Sequence, residues 1–227
     1  MKVMLLAAGL GARMRPLTEH TPKPLLPVAG RPLIEHHLMR LAAAGFTEIV
    51  INIAHLGAQI EKYLGDGAQL GVSIQYSREE QPLETGGGIF RALPLLGEQP
   101  FMVLNSDIWT DYPLQQLRAI KPRRAHLVMV DNPGHLTHGD FYRGADGLLS
   151  EQGVGSKLTY AGLAVFHPQL FADCSDGIFP LRPLFIRAMQ QNLLNSEYYG
   201  GQWLDVGTPE RLQQADNLAR ATAEQRV

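Results

Sequence analysis

The sequence has little of what secreted, membrane-bound or nucleic-acid-binding proteins depend on. Its single cysteine, Cys174, excludes an internal disulfide and fits a reducing compartment. No segment approaches the roughly 20 apolar residues of a membrane span, and the apolar run Val3–Ala8 is too short for a signal peptide. The formal net charge is −2, so no basic surface is indicated. We expect a cytoplasmic protein without nucleic-acid or membrane partners.

Strand-like and helix-like segments alternate as far as Asn132. The run KVMLLAA is continuously apolar, as in a strand buried on both faces, and PLIEHHLMRLAAAG has helical spacing. Further helices are predicted over Pro113–Ile120 and Pro209–Glu224, and a hairpin is predicted with its turn at Ala145–Gly147. The pattern predicts one domain over residues 1–227, a Rossmann-like three-layer α/β/α sandwich with a mostly parallel mixed sheet and a small β subsheet.

The segment LAAGLGARMRPLTEHTPKPLLPVAG follows the first strand, where a helix would usually begin. It is not a dinucleotide fingerprint, because methionine stands where the third glycine belongs and four prolines forbid a long helix. It also lacks the spacing of a P-loop. Glycines such as Gly9 and Gly11 let backbone N–H groups approach anionic oxygens, and Arg13 and Lys23 add fixed positive charge. The alternative is an ordinary Gly/Pro-rich connection, but the strand's C-terminal end is where open sheets bind ligands.

This segment resembles the signature of the sugar-1-phosphate nucleotidylyltransferases. LAAGLGARMRPLT followed by PKPLLPVAGRPLIEH matches their pattern G-x-G-x-R-x-x-P-L-T and then P-K-x-x-x-P-v-x-g-x-P-l-i. The resemblance implies catalytic roles for Arg13 and Lys23, with Lys23 near the α-phosphate. It also implies nucleotide binding by the loop residues Ala7, Ala8, Gly9, Gly11 and Arg13.

Two aspartates follow strand-like runs. Asp107 ends FMVLNSD and Asp205 lies in QWLDVGT, although an aspartate at a strand end is often only a turn or cap residue. The family carries (N/G)-x-D and W-x-D-x-G-T at these places, and its two aspartates share one magnesium ion. The resemblance therefore implies Mg²⁺ bound by Asp107 and Asp205. Asp111 is instead predicted to cap the helix near Pro113.

The stretch EEQPLETGGGIFRAL points to recognition of the base. Three consecutive glycines at a helix start leave bare N–H groups that a flat base can approach, the alternative being a flexible turn. In the resembling family this place contacts base and ribose, which implies Gln81, Pro82 and Gly86. The common form is P-L-G-T-A-G, whereas here PLETGGG places Glu84 in the glycine position.

Contacts to the sugar are implied for Asn105, Asp140 and Thr159. The last two could instead satisfy hydrogen bonds of turns and strands. ETGGGI resembles the branch that makes UDP-N-acetylmuramic acid in peptidoglycan recycling. It implies transfer of UMP from UTP to N-acetylmuramic acid 1-phosphate, by in-line displacement and without a covalent intermediate.

Two other functions stay open from the sequence. One is a mannose or heptose 1-phosphate guanylyltransferase. The other is a non-catalytic regulatory subunit that binds nucleotide sugars, which would be expected to lose Lys23 or an aspartate. This chain keeps all three residues, which favours an enzyme. The substrates expected are UTP and a sugar 1-phosphate, and nothing in the sequence predicts the oligomeric state.

Overall fold

The computed structural model describes residues 1–135 and 138–224. In this part of the chain the strands are β1 (Val3–Leu6), β2 (Pro27–Val28), β3 (Arg31–Pro32), β4 (Glu48–Ile53), β5 (Ser73–Arg78), β6 (Phe101–Asn105), β7 (Ile108–Thr110), β8 (Ala125–Val130), β9 (Tyr142–Arg143), β10 (Leu149–Ser150), β11 (Thr159–Phe166), β12 (Leu194–Tyr198) and β13 (Trp203–Asp205). The α-helices are α1 (Leu33–Ala43), α2 (Gly57–Leu64), α3 (Glu84–Leu96), α4 (Arg182–Gln190) and α5 (Pro209–Glu224).

Seven strands form the central sheet, in the order β12-β8-β11-β6-β1-β4-β5. β1 lies between β4 and β6 and is parallel to both, with Leu6 opposite Asn52 on one side and Asn105 on the other. β11 alone runs antiparallel to its neighbours in this sheet. The predicted mostly parallel mixed sheet is confirmed, and both halves of the chain supply its strands.

The sheet is covered on both faces, as the continuous apolar run of β1 predicts. Val3 and Leu5 belong to a buried cluster with α1 and α2, whereas Met4 belongs to a cluster with α3 and α4. Successive side chains of a strand point to opposite faces, so an apolar residue at every position requires two apolar layers. Each fully buried side chain of this kind contributes about 1.5–3 kcal/mol. The three-layer α/β/α architecture follows.

Smaller pairings complete the fold. β9 and β10 form the predicted hairpin, in which the Gly147 N–H donates to the Gly144 carbonyl at 3.0 Å and Gly147 has φ +81°. β2 pairs with β3, and β7 pairs antiparallel with β13. α5 packs its apolar face on Val28, Leu33 and Val206. Among the described residues, no helix combines the length and the apolar character that a membrane crossing requires.

The segment after β7 differs from its prediction. It forms a 3₁₀ helix over Leu114–Ala119 rather than an α-helix, because its backbone bonds close over three residues, as from the Gln116 N–H to the Pro113 carbonyl. Asp111 does not cap it. Its carboxylate accepts hydrogen bonds from the Gln202 N–H at 2.7 Å and from the Tyr199 hydroxyl, so it ties this segment to the chain before β13.

Candidate active site

The candidate site lies at the C-terminal ends of β1 and β6. Ser106 holds these ends together, since its N–H and its hydroxyl donate to the Leu6 carbonyl at 3.1 and 2.5 Å. A cleft of about 220 Å³ opens there. Its lining includes the predicted residues Ala7, Ala8, Gly9, Lys23, Pro82, Asn105 and Asp107, together with Leu6, Pro24, Asn52, Glu79, Leu83, Glu84, Thr85 and Ser106. The opening loop and the first aspartate therefore meet at one sheet edge, as predicted.

The opening loop is compact, with short 3₁₀ turns in place of a helix. Gly11 has φ +62°, and a Cβ there would lie 2.9 Å from Thr18 Cγ2 and 3.3 Å from Lys23 Cβ. A larger residue would be strained by both its backbone and its surroundings. The loop directs Lys23 at Asp107, with 2.7 Å between Nζ and Oδ2, and only 11% of the lysine side chain is exposed.

The second aspartate is brought to the first by β7 and β13. Asp205 lies opposite Ile108, and the Val206 N–H donates to the Asp107 carbonyl at 2.7 Å. Asp107, in the turn just before β7, and Asp205, at the end of β13, are thus joined through paired backbone although they are far apart in the sequence. A short antiparallel ladder beside the main sheet brings together the segments that carry the two aspartates, and their sharing of one ion stays a prediction.

Asp205 has two cationic or ionisable neighbours that the sequence did not reveal. Arg211 Nη2 lies 3.2 Å from Asp205 Oδ2, and His135 Nε2 lies 3.2 Å from Oδ1. The histidine contact lacks hydrogen-bond geometry, and Asp205 Oδ1 is buried without a hydrogen-bond partner in the described chain. Arg211 precedes the buried Ala215 and Ala219 at intervals of four residues, so all three lie on the same face of α5. This helical spacing is the sequence signal that could have predicted a buried Arg211.

Arg13 and Arg211 converge on Gly207. A Cβ at Gly207 would overlap Arg211 Nη2, and it would lie 3.0 Å from Asp205 Oδ2 and 3.1 Å from Arg13 Nη2. Two guanidinium groups thus approach one point with a single carboxylate between them. Such an arrangement of like charges is stabilised by an anion with several oxygens, and Arg suits phosphate geometry.

The two aspartates fit a hard divalent cation. Across residues 1–135 and 138–224, no three His, Cys, Asp or Glu side chains are grouped to hold a metal. Mg²⁺ is commonly bound by one or two carboxylates together with substrate phosphates, so a two-carboxylate site suffices when a triphosphate is present. Asp205 Oδ1, buried without a hydrogen-bond partner among the described residues, is an oxygen acceptor suited to such an ion.

The first two of the three glycines in α3, Gly86 and Gly87, pack against a neighbouring loop. A Cβ at Gly86 would lie 2.6 Å from the Phe179 ring, and one at Gly87 would overlap the Gly177 carbonyl. The expectation of bare N–H groups is wrong for Gly87, whose N–H donates to the Phe179 carbonyl at 3.0 Å. Gly86 is buried one residue beyond the cleft lining, so its contact with the base stays a prediction.

The segment from Gln81 to Glu84 lies at the side of the cleft opposite the glycine loop. Gln81 is exposed and lies outside the cleft lining, whereas Pro82 lines it. Glu84 has φ +56°, the left-handed region that favours glycine. This explains why the family's common form has glycine at this position. The glutamate side chain also lines the cleft.

The side chain of Asn105 packs closely against the backbone of β11 at Gly162. Gly162 has φ +74° within a register shift between Tyr160 and Ala164, and a Cβ there would lie 2.7 Å from Asn105 Nδ2. The irregular strand makes room for the asparagine at the cleft, as bulges beside functional sites often do.

Asp140 and Thr159 take part in structural hydrogen bonds. Asp140 Oδ2 accepts from the Tyr160 N–H at 2.8 Å, and the buried Thr159 donates its hydroxyl to Asn132 Oδ1 at 2.9 Å. Neither lines the cleft. The alternative that they satisfy strand and turn bonds is thus present in the structure, and their contact with a sugar stays a prediction.

Comparisons with known proteins agree on one family. Residues 2–133 match the model of the nucleotidyl transferase family. The chain is 50% identical to the N-acetylmuramate alpha-1-phosphate uridylyltransferase of Neisseria meningitidis serogroup B, over 97% of this chain and 99% of that protein. It is 33% identical to the mannose-1-phosphate guanyltransferase of Gibberella zeae, over 92% of this chain and 62% of that protein.

A solved structure supports the fold. A putative glucose-1-phosphate thymidylyltransferase from Bacillus anthracis superposes with a TM-score of 0.86 at 22% identity, over 97% of this chain and 95% of that one. At this identity the likeness shows the Rossmann-like fold alone. The sequence matches carry the relationship further, and the chain belongs to the nucleotidyl transferase family.

Proposed function

We propose that the protein transfers UMP from UTP to N-acetylmuramic acid 1-phosphate, giving UDP-N-acetylmuramic acid and pyrophosphate. The observation that carries this proposal is the near full-length 50% identity to a uridylyltransferase of that name. The cleft adds chemical support, because Lys23 pairs with Asp107 beside a glycine loop, and the segment that carries Asp205 is bonded to the backbone of Asp107. Retention of these charged groups also disfavours a non-catalytic subunit.

The reaction requires no nucleophilic side chain. A phosphate oxygen of the sugar 1-phosphate attacks the α-phosphorus of UTP and forms the new P–O bond. The bond from that phosphorus to the bridging oxygen breaks, and pyrophosphate leaves with the electron pair. Two anions must be brought together, so catalysis consists of positioning and charge stabilisation.

The charged residues are assigned by their place in the site. Lys23 faces the α-phosphate and the attacking phosphate, and it is held ready beside Asp107. Arg13 takes the leaving phosphates, and we add Arg211 to this role because both guanidinium groups reach Gly207. The backbone of Ala7, Ala8, Gly9 and Gly11 completes the phosphate site. Gln81, Pro82 and Gly86 are assigned to the base, and Asn105, Asp140 and Thr159 to the sugar.

Asp107 and Asp205 would hold Mg²⁺. When bound, the ion supplies positive charge to the phosphate oxygens. The chain's own residues support this assignment: the β7–β13 ladder and the bond from Val206 to Asp107 join the segments that carry the carboxylates, and Arg211 pairs with Asp205.

A panel assay tests the substrates. UTP, GTP, CTP and dTTP are each combined with the 1-phosphates of N-acetylmuramic acid, N-acetylglucosamine, glucose and mannose, and pyrophosphate release is measured. We expect UTP with N-acetylmuramic acid 1-phosphate to exceed N-acetylglucosamine 1-phosphate by more than about tenfold in kcat/KM, about 1.4 kcal/mol. A preference for GTP with mannose 1-phosphate would instead identify a guanylyltransferase.

Lys23→Ala tests the site. Loss of one charge contact to the transition state should lower kcat by about 10²–10³. Lys62→Ala is the matched control, because Lys62 is exposed on α2 outside the cleft. If the folded Lys23 variant keeps more than about a tenth of wild-type turnover, the assignment of Lys23 is refuted.

A further inference from the structure

A chain of buried hydrogen bonds joins two sides of the cleft. The Ala7 N–H donates to Asn52 Oδ1 at 2.9 Å, and Asn52 Nδ2 donates to Glu79 Oε1 at 2.7 Å. The other carboxylate oxygen, Glu79 Oε2, accepts from the Leu83 N–H at 2.9 Å. Asn52 is 3% exposed and Glu79 is 6% exposed. The chain thus runs from the loop after β1, through the end of β4, to the segment that precedes α3.

The side chains of Asn52 and Glu79 explain why the fifth residue of α3, Gly88, is a glycine. A Cβ at Gly88 would lie 2.6 Å from Glu79 Oε1 and 2.9 Å from Asn52 Nδ2. Atoms at these distances must shift. The space beside the pair is therefore reserved by a glycine that the helix itself does not require.

The order of donors and acceptors allows a single arrangement. A carboxylate only accepts, whereas the asparagine amide accepts through oxygen and donates through nitrogen. The backbone N–H groups at both ends only donate. Asn52 must therefore turn its oxygen to Ala7 and its nitrogen to Glu79, and Glu79 must offer both oxygens. Buried networks of this kind are rigid when complete, and they are destabilised strongly when one member is left unpaired.

We propose that Asn52 and Glu79 are a positioning pair, which fixes the phosphate-binding strand end at Ala7 relative to the base-binding segment at Leu83. Both ends of the chain of bonds, and both members of the pair, line the cleft. The pair is bonded to the backbone on both sides of the cleft. A nucleotide that spans the cleft is bound well only when the two sides keep their spacing, and misplacement by about 1 Å can reduce rates about 10²-fold. This inference rests on the proposed binding of UTP in the cleft.

A reciprocal exchange of side chains tests the pair. Asn52→Asp sets two carboxylates against each other, and Glu79→Gln leaves one oxygen for two donors. In the double variant the new aspartate accepts from the Ala7 N–H and from the new glutamine, whose oxygen accepts from the Leu83 N–H. Every group is then paired again, with the donor direction inside the pair reversed.

The measurement is KM for each substrate, with kcat and the melting temperature. We expect each single variant to raise KM for UTP by at least about tenfold, with KM for the sugar phosphate within about threefold of wild type. The double variant should return KM for UTP to within about threefold of wild type, because a completed network is restored. Gly88→Ala, which pushes on the same atoms, should behave like the single variants.

Ser196→Ala is the control for a buried hydrogen bond outside the cleft, since Ser196 donates to the Gly147 carbonyl at 2.8 Å. It should lower the melting temperature without changing KM for UTP. Single variants that do the same would overturn the proposal, as would a folded double variant with a raised KM. If a single variant does not fold, Gly88→Ala and the double variant decide by the same criteria.

The proposed binding of UTP in the cleft is tested separately from the positioning role of Asn52 and Glu79. If Lys23→Ala keeps its turnover, UTP is not bound where we place it. If Lys23→Ala is inactive while the pair's variants keep the wild-type KM for UTP, the cleft stands and Asn52 and Glu79 serve the fold alone.

Discussion

Glu84 carries a backbone strain that a matched pair of substitutions can measure. Its φ of +56° costs a residue with a Cβ roughly 1–2 kcal/mol, whereas glycine adopts it freely. Glu84→Gly and Glu84→Ala remove the same carboxylate, which has no hydrogen bond or ion pair to other described residues. They differ in whether the new residue tolerates positive φ. Glycine loses more backbone entropy on folding than alanine does, which offsets about 0.5–1 kcal/mol of the relieved strain. The free energy of unfolding of the Glu84→Gly variant should therefore exceed that of the Glu84→Ala variant by about 1 kcal/mol.

Urea unfolding of both variants measures this difference directly. Arg91, exposed within α3, supplies a control of opposite sign, because at a helix interior glycine is about 1 kcal/mol less stable than alanine. Equal free energies of unfolding for Glu84→Ala and Glu84→Gly would refute the strain argument. Equal losses of kcat/KM in both Glu84 variants would assign a role in the cleft to the carboxylate rather than to the backbone.

The site and its supporting residues give three further predictions. Asp107→Asn and Asp205→Asn should each weaken the Mg²⁺ dependence of activity, and the double variant should be little worse, since ligands of one ion act as a unit; a wild-type Mg²⁺ titration in either single variant excludes that ligand. Arg211→Ala should lower kcat/KM at least about tenfold, whereas Arg220→Ala on the same helix should not, by the pyrophosphate assay. Burial lowers the pKa of His37 to about 3, so between about pH 6.5 and about pH 3 only the unfolded chain binds this proton. In that range the free energy of unfolding, measured by urea titrations, should fall by about 1.4 kcal/mol for each unit by which the pH is lowered. His37→Gln should remove that slope.

The sheet and the position of the glycine loop at its edge could be predicted because their signals are local. An apolar run such as β1 indicates a buried strand, and a glycine loop with cations after it indicates an anion site at a sheet edge. The hairpin around Gly147 was equally readable from its turn residues. Local pattern was insufficient for the segment after β7, where Asp111 bonds to Gln202 across the chain instead of capping the next turn.

The role of the glycines in α3 shows where a local pattern misleads. GGG at a helix start is compatible with an exposed backbone and with close packing, and composition does not distinguish them. In the structure a loop at Gly177–Phe179 and the Asn52–Glu79 pair occupy the space that Cβ atoms would need. These neighbours come from elements distant in sequence. The glycines of α3 therefore serve close packing beside the cleft, whatever contact Gly86 makes with a ligand.

The site is completed by a part of the chain that lies beyond the matched family model. That match ends at residue 133, whereas Asp205 and Arg211 come from β13 and α5. The β7–β13 ladder joins the two parts, and a backbone bond from the Val206 N–H to the Asp107 carbonyl extends this pairing to the first aspartate. Because a bonded strand pair joins the segments of the two aspartates, the proposed Mg²⁺ site depends on the β7–β13 ladder. Residues that disturb this ladder should therefore affect the Mg²⁺ dependence without touching a ligand.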